Sequence, residues 1–82
     1  MAVFTKKKKT TETHRQIDEL KEELRSCERL MRRNQAMFEM TVDDSLIEAR
    51  IYEMKSLAKH HDYLIKSLRR LMQTEQDQTV NV

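Results

Sequence analysis

The sequence predicts an all-α protein in which two helices fold back on each other as an antiparallel, coiled-coil-like hairpin. Three observations lead to this prediction. The chain of 82 residues contains neither glycine nor proline, which supply most tight turns and strand boundaries. Its apolar residues recur at helical spacing in two separate stretches. These two patterns are out of phase, so one straight helix could not bury both.

The first helix is predicted over about residues 13–40. Its apolar seam has alternating spacings of three and four residues, the pattern of helices that pack along one line. Asn34 is a polar exception on this seam, and two interpretations stay open. It could fix the register of helix packing, or it could lie near the helix end within reach of water. The seam residues are Ile17, Leu20, Leu24, Cys27, Met31, Asn34 and Phe38.

The second helix is predicted over about residues 44–73, and its apolar stripe is three heptad positions wide. Ten of the twelve stripe positions are apolar, the exceptions being Arg50 and His61. One neighbouring helix needs a stripe of only two positions. We therefore expect self-association, most simply a dimer with a four-helix arrangement, with Leu30 and Met37 of the first helix beside the second protomer. The stripe residues are Ile47, Met54, His61 and Leu68; Arg50, Leu57, Leu64 and Leu71; and Ile51, Ala58, Ile65 and Met72.

A turn over about residues 41–44 is predicted between the helices. The second apolar pattern starts two residues out of phase with the first, which rotates the stripe by about 200° on a continuous helix. A break in the helix removes this conflict. Asp43 is the predicted N-cap of the second helix, and Thr41 with Asp44 three residues later is the alternative, a capping box.

Charge divides the chain into three segments. Residues 1–11 form a predicted disordered basic arm with four consecutive lysines, residues 12–73 form the hairpin, and residues 74–82 form a frayed acidic tail. Each helix begins acidic and ends basic, which suits both the helix dipole and antiparallel packing. The arm is a candidate anion-binding segment, and its lysines are Lys6, Lys7, Lys8 and Lys9.

Several functional classes are not expected from this composition. Cys27 is the only cysteine, so no internal disulfide forms, and a cytoplasmic location and burial as a small hydrophobe are predicted. No apolar run is long enough to span a membrane and no signal peptide is expected. The adjacent His60 and His61 point about 100° apart on a helix, and His61 is predicted to be a core histidine. We expect no catalytic site, metal, cofactor or small-molecule substrate.

The outer face of the second helix is the main candidate for binding. Two tyrosines and four cations fall within roughly 60° of one line, opposite the apolar stripe. We expect this Tyr–Lys face to bind a protein, as part of a non-catalytic interaction or adaptor module. The alternatives are a nucleic-acid-associated protein that uses this face and the lysine arm, and a merely solvated face. The Tyr–Lys face consists of Tyr52, Lys55, Lys59, Tyr63, Lys66 and Arg70.

The segment from Asp43 to Ile65, DDSLIEARIYEMKSLAKHHDYLI, resembles the YaaL-like family of short bacterial proteins. The similar positions are the capping Asp43, the steps Leu46-Ile47-Glu48 and Ile51-Tyr52-Glu53-Met54, the pair Tyr63-Leu64, and upstream Arg32-Arg33-Asn34 and Phe38. The family commonly has proline after the cap, where this chain has Asp44. The resemblance implies a bacterial helical hairpin of unknown activity, whose genes often lie near recombination and replication genes.

Overall fold

The computed structural model describes the backbone of residues 2–80 and the side chains of residues 12–74. It contains two α-helices, α1 (Ala2–Met40) and α2 (Asp44–Val80), and no strand within the described backbone. The helices pack side by side into a rod about 63 Å long. The all-α helical hairpin predicted from the sequence is therefore confirmed.

The two helices are antiparallel. The Cys27 thiol lies 3.5 Å from the carbonyl oxygen of Leu57, to which it donates. One heptad further along α1, the side-chain amide of Asn34 donates to the carbonyl oxygen of Arg50 at 3.0 Å. Residue numbers thus rise along α1 while the numbers of their neighbours fall along α2, so the chain reverses direction at the turn.

The turn itself needs only residues 41–43. No residue of the described backbone has a positive φ, so the chain reverses without the glycine that left-handed turns require. The Thr41 hydroxyl donates to the carbonyl oxygen of Met37 at 2.5 Å, and the Thr41 amide donates to the carbonyl oxygen of Phe38 at 3.2 Å. Thr41 therefore completes the carboxyl end of α1 and is not the cap of α2.

Asp43 caps α2. Its carboxylate oxygen Oδ1 accepts hydrogen bonds from the amides of Ser45 at 2.9 Å and Leu46 at 3.2 Å. Its carbonyl oxygen accepts the bond that begins the helix, from the amide of Ile47 at 2.9 Å. This is the arrangement of an N-cap residue, in which a side-chain oxygen satisfies amides that lack a partner in the first turn.

Both helices extend further toward the chain ends than the sequence predicted. α1 begins at Ala2 instead of near residue 13, so helical backbone continues through residues 2–11 of the predicted arm. α2 ends at Val80 instead of near residue 73. Apolar periodicity reports burial and not helix formation, and no glycine or proline interrupts either end. The side chains of residues 1–11 and 75–82 lie outside the described residues.

The core is small and lies along the seam between the helices. Among the described side chains, Ile17, Cys27 and Leu64 are its buried apolar members, and Leu64 is completely buried. Burying one such leucine contributes about 1.5–3 kcal/mol. The prediction that Cys27 is a small buried residue is confirmed by its 2% exposure.

Asn34 is buried, with 3% of its surface exposed, so the interpretation that water reaches it is wrong. It lies about two turns before the helix end, where α2 covers it. Its amide nitrogen is satisfied by the carbonyl oxygen of Arg50, whereas Asn34 Oδ1 and Arg50 Nε are buried without a hydrogen-bond partner. A buried polar group of this kind costs stability and favours one helix register.

The other polar exception, His61, also contacts the opposite helix. Its ring nitrogen Nε2 lies 3.3 Å from the Glu28 carboxylate, and its side chain is 29% exposed. The ring is therefore half-buried at the edge of the seam, with an acidic partner on α1. The prediction of a core histidine is therefore met only in part, because the ring has a partner across the seam but is not buried.

Candidate functional site

The structure places the whole Tyr–Lys face on the surface of α2. All six side chains are exposed, and the two tyrosines retain 70% (Tyr52) and 63% (Tyr63) of their accessible surface. The face forms because its members recur every three or four residues along a helix whose opposite side packs against α1. The structure thus brings together every residue that the sequence assigned to this surface.

Contacts within the face give its cations different surroundings. The Lys55 ammonium lies 5.9 Å from the centre of the Tyr52 ring, within the range of a cation–π interaction. Lys66 Nζ lies 3.0 Å from the carboxylate of Asp62, which offsets part of its charge. The His60 ring stacks on Tyr63 with centroids 6.4 Å apart and planes inclined by 17°. Both aromatic rings are therefore oriented by neighbours one turn away.

The carboxyl-terminal part of the face borders a groove between the helices. This groove has a volume of about 430 Å³ and includes Tyr63 and Arg70 of α2. On the α1 side it is lined by the acidic residues Glu19 and Glu23. Arg70 thus faces carboxylates across the groove, so this end of the face is electrostatically mixed and the amino-terminal end, at Lys55 and Lys59, is more basic.

A second exposed feature of α2 is apolar. One position of the wide stripe stays largely uncovered after the hairpin forms. Ile51 is 40% and Met72 is 48% exposed, Ala58 is exposed and Ile65 is half-buried. These four residues are called the apolar row below. A mainly apolar groove of about 270 Å³ runs beside it, between Phe38 of α1 and Ile51, Met54 and Ala58 of α2.

The opposite edge of the hairpin carries a smaller apolar feature. Leu30 is 49% exposed, and with Met37, Arg33 and Glu53 it lines a groove of about 230 Å³. The predicted contact of Leu30 and Met37 with a second protomer stays a prediction. The apolar row is the longer feature, because it follows α2 over three heptads.

The structure adds one residue that sequence reasoning missed. Glu28 is the acidic neighbour of His61 across the seam, and no sequence pattern singled it out. Within the described part of the chain, no three His, Cys, Asp or Glu side chains come together as potential metal ligands. Neither helix, as far as it is described, contains an apolar stretch long enough to cross a bilayer.

The backbone of the lysine arm belongs to α1. The side chains of Lys6, Lys7, Lys8 and Lys9 lie outside the described residues, so anion binding by the arm stays a prediction. Comparisons of the chain with protein-family models, curated protein sequences and solved structures gave no match. What the candidate surfaces bind is therefore inferred from their geometry and chemistry.

Proposed function

We propose that this protein is a non-catalytic interaction module that binds a protein partner through the Tyr–Lys face of α2. The observation that carries this proposal is the exposure of two tyrosines, 70% for Tyr52 and 63% for Tyr63, among four cations on one helix face. Tyrosine is enriched among residues that dominate binding energy at protein interfaces. The surrounding lysines favour a partner with an acidic surface and accelerate its association.

Several further statements belong to this proposal. Self-association as a dimer is supported by the uncovered apolar row. A cytoplasmic location is supported by the single, buried Cys27. Membership of the YaaL-like family and a bacterial origin stay predictions from sequence resemblance, because none of the comparisons bears on them.

The test begins with site-specific photo-crosslinking in cells. A photoreactive residue at Tyr63 should capture one acidic protein, and the same residue at Arg32, an exposed position on α1, should not. With the captured protein purified, Tyr63→Ala should weaken binding about 30-fold or more, the effect of losing a dominant interface residue. Equal capture at Arg32, or unchanged affinity of Tyr63→Ala with retained helicity, would contradict the proposal.

The second candidate function is association with single-stranded nucleic acid. It is favoured by the alternation of exposed tyrosines and lysines along one helix face, since tyrosine rings stack on bases and lysines contact phosphates. Fluorescence anisotropy with a labelled oligonucleotide should then show affinity that falls steeply with salt and is reduced in Tyr63→Ala. Replacing Lys6 to Lys9 with glutamine separates the contribution of the arm, because affinity that survives this change cannot come from those lysines.

A further inference from the structure

α2 has a second packing seam that the hairpin covers only in part. α1 covers only part of the three-position stripe, and the apolar row stays exposed along the side of α2. The apolar row and the half-buried residues next to it together form one line of residues. Their spacings alternate between four and three residues, which is the pattern of a helix that packs against another helix. This seam consists of Ile47, Ile51, Met54, Ala58, His61, Ile65, Leu68 and Met72.

A row of exposed charges runs beside this seam, about 60° further around α2 and away from α1. It consists of Glu48, Lys55, Asp62 and Arg69, all exposed and spaced by seven residues. The signs alternate along the helix, from negative at Glu48 to positive at Arg69. Residues at this position flank the seam, so they would lie next to the flanking charges of any helix that packs there.

The charge row attracts a second copy of itself that runs in the opposite direction. When two copies of α2 pack antiparallel along this seam, Glu48 of one copy lies beside Arg69 of the other, and Lys55 lies beside Asp62. Both pairs share a midpoint between Ala58 and Lys59, so one two-fold axis forms all four attractive pairs. A slide of one heptad instead brings Lys55, or Asp62, next to its own copy. The charges therefore select one orientation and one register.

We infer that the apolar row is a self-association surface, covered by the same row of a second copy in an antiparallel, two-fold symmetric dimer. The inference rests on the self-association included in the proposed function and assigns it a surface and a register. In this dimer the two α2 helices lie at the centre of four helices. Leu30 and Met37, on the opposite edge of each hairpin, then lie away from the second protomer, in contrast to the contact expected from the sequence. Ala58 lies close to the axis, where its short side chain permits a small distance between the helices.

This arrangement leaves the Tyr–Lys face available. Apart from Lys55, the residues of that face point away from the seam, so the dimer presents two copies of the partner-binding surface. Asp62 has an alternative partner in Lys66 at 3.0 Å within the same helix. The outer pair, Glu48 with Arg69, lies outside the Tyr–Lys face, and it is the better pair for an experiment.

The test is a charge-reversal cycle on the full chain, measured by sedimentation equilibrium over a wide concentration range. The unchanged protein should dimerise. Glu48→Lys and Arg69→Glu should each raise the dimer dissociation constant about tenfold or more, because each turns two symmetry-related attractions into repulsions. The double variant should return to within about threefold of the original. The control is Arg32→Glu on α1, which makes the same charge change as Arg69→Glu but lies away from the seam. It should have little effect.

A second pair of variants tests the apolar contribution. Ile51→Gln should also weaken the dimer about tenfold or more while helicity by circular dichroism is retained. The matched control is Val42→Gln, since Val42 is 89% exposed in the turn. Tyr63→Ala should leave dimerisation unchanged, which separates this inference from the proposed partner binding. A chain that stays monomeric, single reversals no stronger than Arg32→Glu, or a double reversal without recovery would overturn the inference.

Discussion

α1 and α2 share one seam but differ in what their remaining surface does. On α1, exposed carboxylates and guanidinium groups pair with each other along the helix. Arg15 contacts Glu12 and lies 3.2 Å from Glu19, and Arg25 lies 2.7 Å from Glu22. On α2, two tyrosines and an apolar row remain exposed after the hairpin forms.

This difference indicates which helix is available to other molecules. Arg15, Arg25 and Arg29 of α1 have carboxylate partners within the same helix, and those of Arg15 and Arg25 lie at positions where such pairs stabilise it. Covering the exposed rings and apolar side chains of α2 with a partner would lower the free energy, because removing apolar surface from water is favourable. This contrast supports the proposal that α2, and not α1, carries the binding surfaces.

The largest expected effect comes from truncating a buried side chain in the seam between the two helices. Leu64 is completely buried, so Leu64→Ala should lower the free energy of unfolding by about 2–4 kcal/mol, through lost burial and a cavity. Urea denaturation followed by circular dichroism measures this change. The matched control is the neighbouring Tyr63→Ala, which removes a larger but exposed side chain and should cost less than about 1 kcal/mol. Equal losses would place Tyr63 in the core and abolish the contrast between the seam and the outer face of α2.

A smaller effect, of opposite sign, is expected at the polar member of the α1 seam. Asn34→Leu should raise the free energy of unfolding by about 1 kcal/mol, because leucine has a similar volume and leaves no buried amide oxygen unsatisfied. The same measurement on Ala36→Leu, at an exposed position of α1, should show almost no change. A loss of more than 1 kcal/mol in Asn34→Leu would instead show that the bond to Arg50 stabilises the hairpin.

The positions of Cys27 and Asn34 show how much of the fold follows from the sequence. Cys27 and Leu57 lie equally far along the chain from Val42, and so do Asn34 and Arg50. Because the apolar patterns predict both the reversal and its place, they also predict which residues lie at the same level. The cap at Asp43 could be predicted for a different reason, because capping depends on the chemistry of a few neighbouring residues.

The contacts that depend on long side chains could not be predicted in this way. Glu28 and His61 lie at unequal distances from Val42, yet their side-chain atoms approach within 3.3 Å. The groove beside Tyr63 and Arg70 similarly depends on how α1 side chains extend across the seam. The outward ends of the helices were missed because residues 2–12 and 74–80 carry no periodic apolar signal, although their composition permits helix.

The smallest expected effect lies on the exposed surface of α1. The hydrogen bond and charge of Arg25 lower the pKa of Glu22 below its usual value, with a weaker contribution from Arg29. A carboxylate with a lowered pKa in the folded state contributes stability above its unfolded pKa, and this contribution disappears as the pH falls through the folded pKa. Glu22→Gln should therefore lower the Tm by no more than about 2 °C at neutral pH, because the pair is exposed.

The pH dependence distinguishes this ion pair from a general effect of the substitution. The difference in Tm between the two proteins should vanish in acid, where Glu22 is protonated in both the folded and unfolded states. Glu23→Gln is the control for the substitution itself, since Glu23 is also an exposed glutamate of α1 and forms no ion pair within 4.0 Å among the described residues. A difference that persists unchanged at acidic pH would show that the substitution acts through helix propensity. A large loss at neutral pH would show that the surface of α1 contributes more to the fold than its contacts indicate.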